Sequence, residues 1–189
     1  MSTTHEIVLT PVTTKVRFYT SVDNGSYIPS HWHRAIEIIY IQTGALTVTV
    51  ESHMQELTAG QCILINSNVV HSTQCTIPNT AIVFQIPLDF IETYIPQVRS
   101  LLFHLPEGSA DPKERTKLDI FKNTLEKMQI ANDMQPDGFL LRFNSLLFEV
   151  LFQLYHSFST KVMHSDFSKK KKELDRLNPV LQYTTEHYN

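Results

Sequence analysis

The sequence predicts a mainly β fold, a sandwich or small barrel, with α-helices C-terminal to it. Three observations carry this. Up to residue 86, short runs rich in Val, Ile, Thr and aromatics recur between turn-type residues. Within them Leu46, Val48 and Val50 alternate with Thr47, Thr49 and Glu51, the pattern of a half-buried antiparallel strand. Beyond residue 88 the apolar spacing becomes helical. The 189 residues suffice for one domain with a real core, and 42% hydrophobic content marks a globular chain.

Residues 1–14 form a polar, Thr-rich arm. Strands are expected over Lys15–Val22, Glu37–Gln42, Ala45–Glu51, Gln61–Asn66, His71–Ile77 and Thr80–Ile86. Thr43-Gly44 and Thr58-Ala59-Gly60 are expected to be turns between them. Short strands at this spacing suit a sandwich or barrel.

A short helix is expected over Asp89–Tyr94, stopping before Pro96. Asp111-Pro112-Lys113-Glu114 has the form of an N-cap, a proline at the first helical position and an acidic third position. Leu118, Phe121, Leu125 and Met128 follow at helical spacing, and Pro136-Asp137-Gly138 opens a second long helix. On that helix Leu140, Phe143, Leu147, Val150, Leu154 and Phe158 form one apolar stripe. Leu141, Phe148, Phe152 and Tyr155 form another, with Arg142, Glu149, Gln153 and His156 on the polar side. Two stripes exceed what one packing partner requires, so Phe148, Phe152 and Tyr155 are expected to form the face of a homodimer.

A net charge of −3 argues against a nucleic-acid surface on this chain. Residues 1–6 lack the basic and apolar segments of a secretory signal, and charges interrupt the apolar stretch Phe139–Phe158. No membrane association and a cytoplasmic location are therefore expected. Cys62 and Cys75 lack the number and spacing of a zinc cluster and are expected to be reduced core residues. Residues 159–177, with the basic run Lys169–Lys172, have the composition of a solvated linker, and Asn178-Pro179 opens a further helix over Val180–Tyr188.

The chemistry concentrates at His31, His33 and Glu37. All are odd-numbered, so an unbroken strand places them on one face. His71, from a separate strand, supplies a fourth group. Three imidazoles and a carboxylate suit a divalent transition metal with open positions, or a hydroxyl-rich small molecule. Trp32 and Tyr40 have the opposite parity and are expected to face away.

Gly25, His31, His33, Glu37 and Gly44 match every fixed position of the first cupin motif, G-x5-H-x-H-x3-E-x6-G. The second motif, G-x5-P-x-G-x2-H-x3-N, is met at Gly60 and His71. Asn66, Asn68 and Cys75 stand in place of its proline, glycine and asparagine, a degraded turn that keeps its histidine. The chain thus resembles the cupin superfamily. More narrowly, His31-Trp32-His33, Glu37-Ile38-Ile39-Tyr40, Leu57-Thr58-Ala59-Gly60 and Ile65–Ser72 resemble the sensor domain of AraC-type transcription regulators.

That resemblance implies a double-stranded β-helix (jelly-roll) barrel over residues 1–95 with its N-terminal arm. Two long antiparallel helices would mediate dimerisation over 96–160. A linker over 161–189 would lead into a helix-turn-helix domain lying beyond Asn189. It implies a non-enzymatic sensor of a sugar or related metabolite, with His31, His33, Glu37 and His71 binding the ligand. The arm would serve as a lid, and DNA would be bound only through the further domain. No cofactor is required in that reading, although the same four residues suit a divalent transition metal. The alternative is a metal-dependent cupin enzyme, a dioxygenase or sugar isomerase.

Overall fold

Two apolar runs, Ala35–Ile41 and Ala81–Ile86, lie side by side at the centre of a sheet and set the architecture. The computed structural model describes residues 3–162. Its strands are β1 (Thr4–His5), β2 (Arg17–Asp23), β3 (Tyr27–Trp32), β4 (Ala35–Val50), β5 (His53–Thr58), β6 (Cys62–Ile65) and β7 (His71–Pro87). They form one seven-stranded sheet in the order β1-β3-β7-β4-β5, with β2 also on β7 and β6 also on β4. All pairings in this sheet are antiparallel except β1 on β3.

The sequence divides β4 at Thr43-Gly44 and β7 at Ile77, but both strands run through. They pair with each other from Ala35 opposite Pro87 to Val50 opposite His71, with register shifts between Ile41 and Thr47. Gly44 explains the difference. Its φ of +73° is left-handed, and a Cβ there would collide with the Pro78 carbonyl oxygen and lie 2.8 Å from the Asn79 Cα. The missing side chain lets the β7 backbone approach β4 closely at a bulge, so the glycine sits within a continuous pair instead of reversing the chain. The sequence signals β3 only through the shared parity of His31 and His33, and it does not signal β5. Most of their residues are exposed, which removes the apolar signal that a sequence reading needs.

The central strands are buried on both faces. Ile36, Ile38, Tyr40, Ile82, Phe84 and Ile86 pack with the helices. Ile39, Ile41, Leu46, Val48, Ile65 and Ala81 form a second cluster with Leu57 and Cys75. Parity sorts the two cores along Ile36–Ile41 and Ala81–Ile86, and it reverses in β4 past the register shifts, where Leu46 and Val48 join the second cluster. Cys62 and Cys75 are free and buried. Burial, with Glu107 nearby, pushes the Cys62 thiol up to about 12, so it is an unreactive core group.

Among the described residues, three helices follow the sheet, α1 (Leu88–Glu92), α2 (Pro112–Met134) and α3 (Phe139–Ser157), with a 3-10 turn at Val98–Ser100. Asp111 caps α2 by accepting from the Lys113 N–H at 2.9 Å, and Pro112 takes the first position. α3 starts at Gly138, whose φ is +77°. Leu118, Phe121, Leu125 and Met128 of α2 share one core with Phe143, Leu147, Val150 and Leu154 of α3 and with the sheet. Two positions on α3 depart from expectation. Leu140 is 40% exposed, and Gln153 is buried, donating to Thr124 Oγ1 and Glu149 Oε1. Phe148, Phe152 and Tyr155 remain 42%, 58% and 43% exposed.

The segment expected to be linker from residue 159 begins as a strand. β8 (Leu101–Phe103) pairs with β9 (Ser159–Lys161), and so the end of the helical portion closes back onto the segment that follows α1. The basic run Lys169–Lys172 and the expected helix Val180–Tyr188 lie outside the described residues. Among the described residues, no helix is long and apolar enough to cross a membrane.

Gly44→Ala places a side chain against backbone at a left-handed position. It should destabilise the protein by at least about 2 kcal/mol, a fall in melting temperature of roughly 4–8 °C. A Gly44→Ala variant melting within a degree of the parent would show that the β7 backbone does not approach Gly44 as described.

Candidate ligand and metal site

The expected unbroken strand through His31, His33 and Glu37 is interrupted. β3 ends at Trp32 and β4 begins at Ala35, so His31 lies on β3, His33 in the connection and Glu37 on β4. The residues still converge, because β7 pairs with both strands. His31 is opposite His71, and Glu37 is opposite Gln85. Donor atoms of His31, His33 and His71 all lie within 4.8 Å of one another. The ring centroids of His31 and His71 are 4.1 Å apart, and those of His33 and His71 are 5.0 Å apart. Glu37 Oε2 lies 2.8 Å from His33 Nε2 and 3.9 Å from His71 Nε2.

The turn before His71 survives its substitutions. Asn68, where the motif has glycine, takes a φ of +64°, a conformation asparagine tolerates, and its N–H donates to the His33 carbonyl at 2.8 Å. Asn66, where the motif has proline, exchanges hydrogen bonds with the Phe103 backbone and so ties the site to β8.

Each histidine is oriented in the same way. Nδ1 of His31, His33 and His71 meets the carbonyl of Pro29, Ala35 and Val69 respectively, at 2.9, 3.0 and 3.0 Å. A carbonyl can only accept, so Nδ1 carries the proton and Nε2 is the free position. Such tethering is what fixes metal-ligating imidazoles. His71 Nε2 is buried and has no hydrogen-bond partner. Burial holds its ring below the ordinary imidazole range. A bare lone pair in a polar site is costly unless something binds it.

His33 differs. Burial works against its charge, but the Glu37 hydrogen bond and negative charge outweigh this and raise its pKa. For Glu37, burial likewise opposes charge, and the bonds from His33 and Gln85 with the nearby imidazoles keep it below the usual carboxylate range. Without a metal, His33 is therefore an imidazolium donating through both nitrogens, to Ala35 O and Glu37 Oε2. The Nε2 atoms of His31, His33 and His71 form a group that could hold a divalent transition metal, and Glu37 falls in a second group, with Glu6 and His33. The metal would take the place of the His33 Nε2 proton.

A cavity of roughly 440 Å³ opens beside these groups, within the range of small-molecule sites. His31, Glu37, Ile39 and Leu46 line it, together with residues the sequence did not single out: Arg17, Tyr19, Thr73, Asn79 and Gln85. Gln85 has a readable signal, as the one polar residue in the run Ala81–Ile86, and it shares the odd parity of Ala81 and Val83. Its Nε2 donates to Glu37 Oε2 at 2.7 Å, and its Oε1 accepts from Arg17 at 3.1 Å. The N-terminal arm also reaches the site. Glu6 pairs with Arg17 and lies 3.6 Å from His31 Nε2. With His33 and Glu37 it makes a second group of possible ligands. The arm before β2 is thus tied to the sheet at β1. Trp32 and Tyr40 point elsewhere: Trp32 lies against His5, ring centroids 4.4 Å apart, and Tyr40 donates to Glu126 of α2.

In metal-free protein the His33 ring should titrate above 6.5 and the His71 ring below it, as imidazole resonances followed by NMR would show. Since folding raises the pKa of His33, its contribution to stability is complete below 6.5 and is lost as pH rises through the folded value. A His33 ring titrating below His71 would reverse the assignment of the proton.

Residues 18–86 match the family model described as the cupin domain. No curated protein matches the sequence. Among solved structures, an RmlC-like cupin from Shewanella frigidimarina is 25% identical, over 41% of this chain and 72% of its own, with a TM-score of 0.37. The KdgF protein from a Halomonas species is 20% identical, over 40% and 73%, with a TM-score of 0.36. The DMSP lyase DddQ from Ruegeria pomeroyi is 27% identical, over 40% of each chain, with a TM-score of 0.36. With the motif residues, the sheet and the family match in agreement, residues 18–86 of this chain are a cupin domain.

Proposed function

We propose that the chain is the effector-binding and dimerisation module of an AraC-type transcription regulator. In this reading a sugar or related metabolite binds in the cupin pocket, and DNA is bound through a separate helix-turn-helix domain. What supports it above all is a polar seam joining the pocket strand to the helices. Glu37 faces the pocket, while Tyr40 and Gln42 of the same strand face α2. Tyr40 Oη donates to Glu126 at 2.8 Å. Gln42 and Gln129 exchange amide hydrogen bonds, and Gln129 also donates to Thr20 of β2. A ligand that shifts β4 shifts the partners of α2, and coupling of about 1–3 kcal/mol suffices for regulation. The exposed stripe of Phe148, Phe152 and Tyr155, extended by Tyr94 edge-on to Phe148 at 4.8 Å, supports a second copy as the partner of α3.

The orphaned His71 Nε2 favours a second reading, a metal-dependent cupin enzyme such as a dioxygenase or sugar isomerase. There the bound metal would polarise a substrate oxygen. Glu37 and Gln85 would orient what binds beside it.

A thermal-shift screen of sugars and related metabolites separates the readings. A ligand at about a hundred times its Kd adds roughly 2.7 kcal/mol. The shift should vanish in His33→Ala and Glu37→Ala while both variants still sediment as dimers. If no metabolite stabilises the parent, or the shift survives in both variants, the pocket is not the receptor site. Conversion of the stabilising compound by the metal-loaded protein would establish the enzyme.

Phe148→Asp combined with Phe152→Asp should yield a monomer that retains the ligand shift. A double variant sedimenting like the parent would place the dimer face elsewhere. Dialysis against zinc, manganese or nickel should load about one ion per chain in the parent and far less in His71→Ala. Equal loading of the two would remove His71 from the metal set.

A further inference from the structure

We propose that Arg17, with Gln85, forms a carboxylate-recognition subsite in the cupin pocket, and that the ligand of the pocket is a small organic acid. Glu6 of the N-terminal arm occupies this subsite in the free protein. The inference rests on the pocket being a small-molecule site and names the class of that molecule.

The arm delivers Glu6 through backbone pairing. Thr4 and His5 pair with β3, and the Glu6 N–H donates to the Trp32 carbonyl at 2.9 Å. The Glu6 carboxylate then sits where a ligand would. Oε1 accepts from Arg17 Nη1 at 3.0 Å, and Oε2 lies 3.4 Å from Gln85 Nε2 and 3.6 Å from His31 Nε2. The side chains of Glu6 and Arg17 are 32% and 39% exposed, so the pair is open to competition from solvent.

Arg17 has two holds besides Glu6. Its guanidinium lies over the Tyr19 ring, 4.9 Å from the centroid, and Nη1 also donates to Gln85 Oε1 at 3.1 Å. The Gln85 amide cannot turn over freely, because its Nε2 donates to Glu37 Oε2. A planar cation fixed by a ring and an oriented amide suits a carboxylate.

Charge selects the ligand. Glu37 is committed to His33 and Gln85. If Glu6 withdraws, Arg17 loses its paired carboxylate. A neutral ligand leaves that cation unmatched, whereas an acid replaces one carboxylate by another. Ser21, Thr73 and Asn79, with Ile39 and Val83, line the rest of the cavity and suit a short hydroxylated or aliphatic body.

The test is chemical rescue of Glu6→Ala, with acetate exchanged for chloride at matched ionic strength. Acetate should raise the unfolding midpoint of Glu6→Ala and leave that of Glu6→Ala/Arg17→Gln unchanged. By calorimetry, D-gluconate should bind Glu6→Ala about tenfold more tightly than it binds the parent, with no such gain for D-glucose. Glu6→Gln, which keeps a hydrogen-bonding group on the arm, repeats the titration should the alanine variant fail to fold. No response of either Glu6 variant to acetate, or an equal response after loss of Arg17, overturns the subsite. If metabolite and metal binding persist in the parent while the acetate response is missing, the subsite alone has failed. If the acetate response is present while metal and sugar binding are absent, the subsite stands and the broader reading of the pocket has failed.

Discussion

A carboxylate buried in an apolar strand is the constraint on which the site depends. Glu37 is 5% exposed between Ile36 and Ile38, where an isolated charge would be untenable. It is tolerated because His33 and Gln85 both donate to Oε2. Those donors are in turn held. Gln85 lies opposite both Glu37 and Arg17 in the ladder, and the His33 ring is anchored on the Ala35 carbonyl. A row of polar groups across β2, β7 and β4 follows from neutralising this one charge. His71 is the exception, since its Nε2 is left without a partner although solvent does not reach it. That asymmetry marks a place for a ligand within an otherwise satisfied network.

The fold serves this arrangement through the bend in the β4–β7 pair. His71 and Gln85 stand fourteen positions apart on one strand, too far apart along a straight strand to meet at one site. The pair is not straight: its register shifts between Ile41 and Thr47, and at Gly44 the β7 backbone occupies the space of a side chain. A glycine that reads as a hairpin turn is a point of close approach, and its φ value serves either role.

Much of the β portion is legible in the sequence because alternation and β-branched runs report burial directly. The positions of His31, His33, Glu37 and His71 are legible from motif spacing. The rest fails for physical reasons. Same-face parity holds for an unbroken strand, yet the chain breaks at His33 and Arg34, and the groups meet because β3 and β4 share β7 as neighbour. Arg17, Tyr19 and Glu6 escape a sequence reading because they reach the site through long-range pairing and arm docking, which leave no local periodicity. Asn68 reads as a lost turn, although asparagine adopts the same left-handed backbone as the glycine it replaces.

The two faces of β4 link the site to the helices. Odd positions carry Glu37 and Ile39 to the cavity, and even positions carry Ile38, Tyr40 and Gln42 towards the helical side. A rigid strand cannot change one face while holding the other still, and the proposed coupling of pocket to helices would act through this strand. The join is polar. Tyr40 and Gln42 meet Glu126 and Gln129 through directional bonds, which lose strength sharply with misalignment, whereas apolar contacts slide at little cost. Burial and the Glu126 carboxylate push the Tyr40 hydroxyl well above the ordinary phenol range, so it stays a donor at neutral pH. A seam of this kind resists small shifts and yields to larger ones, as a two-state response to a ligand requires.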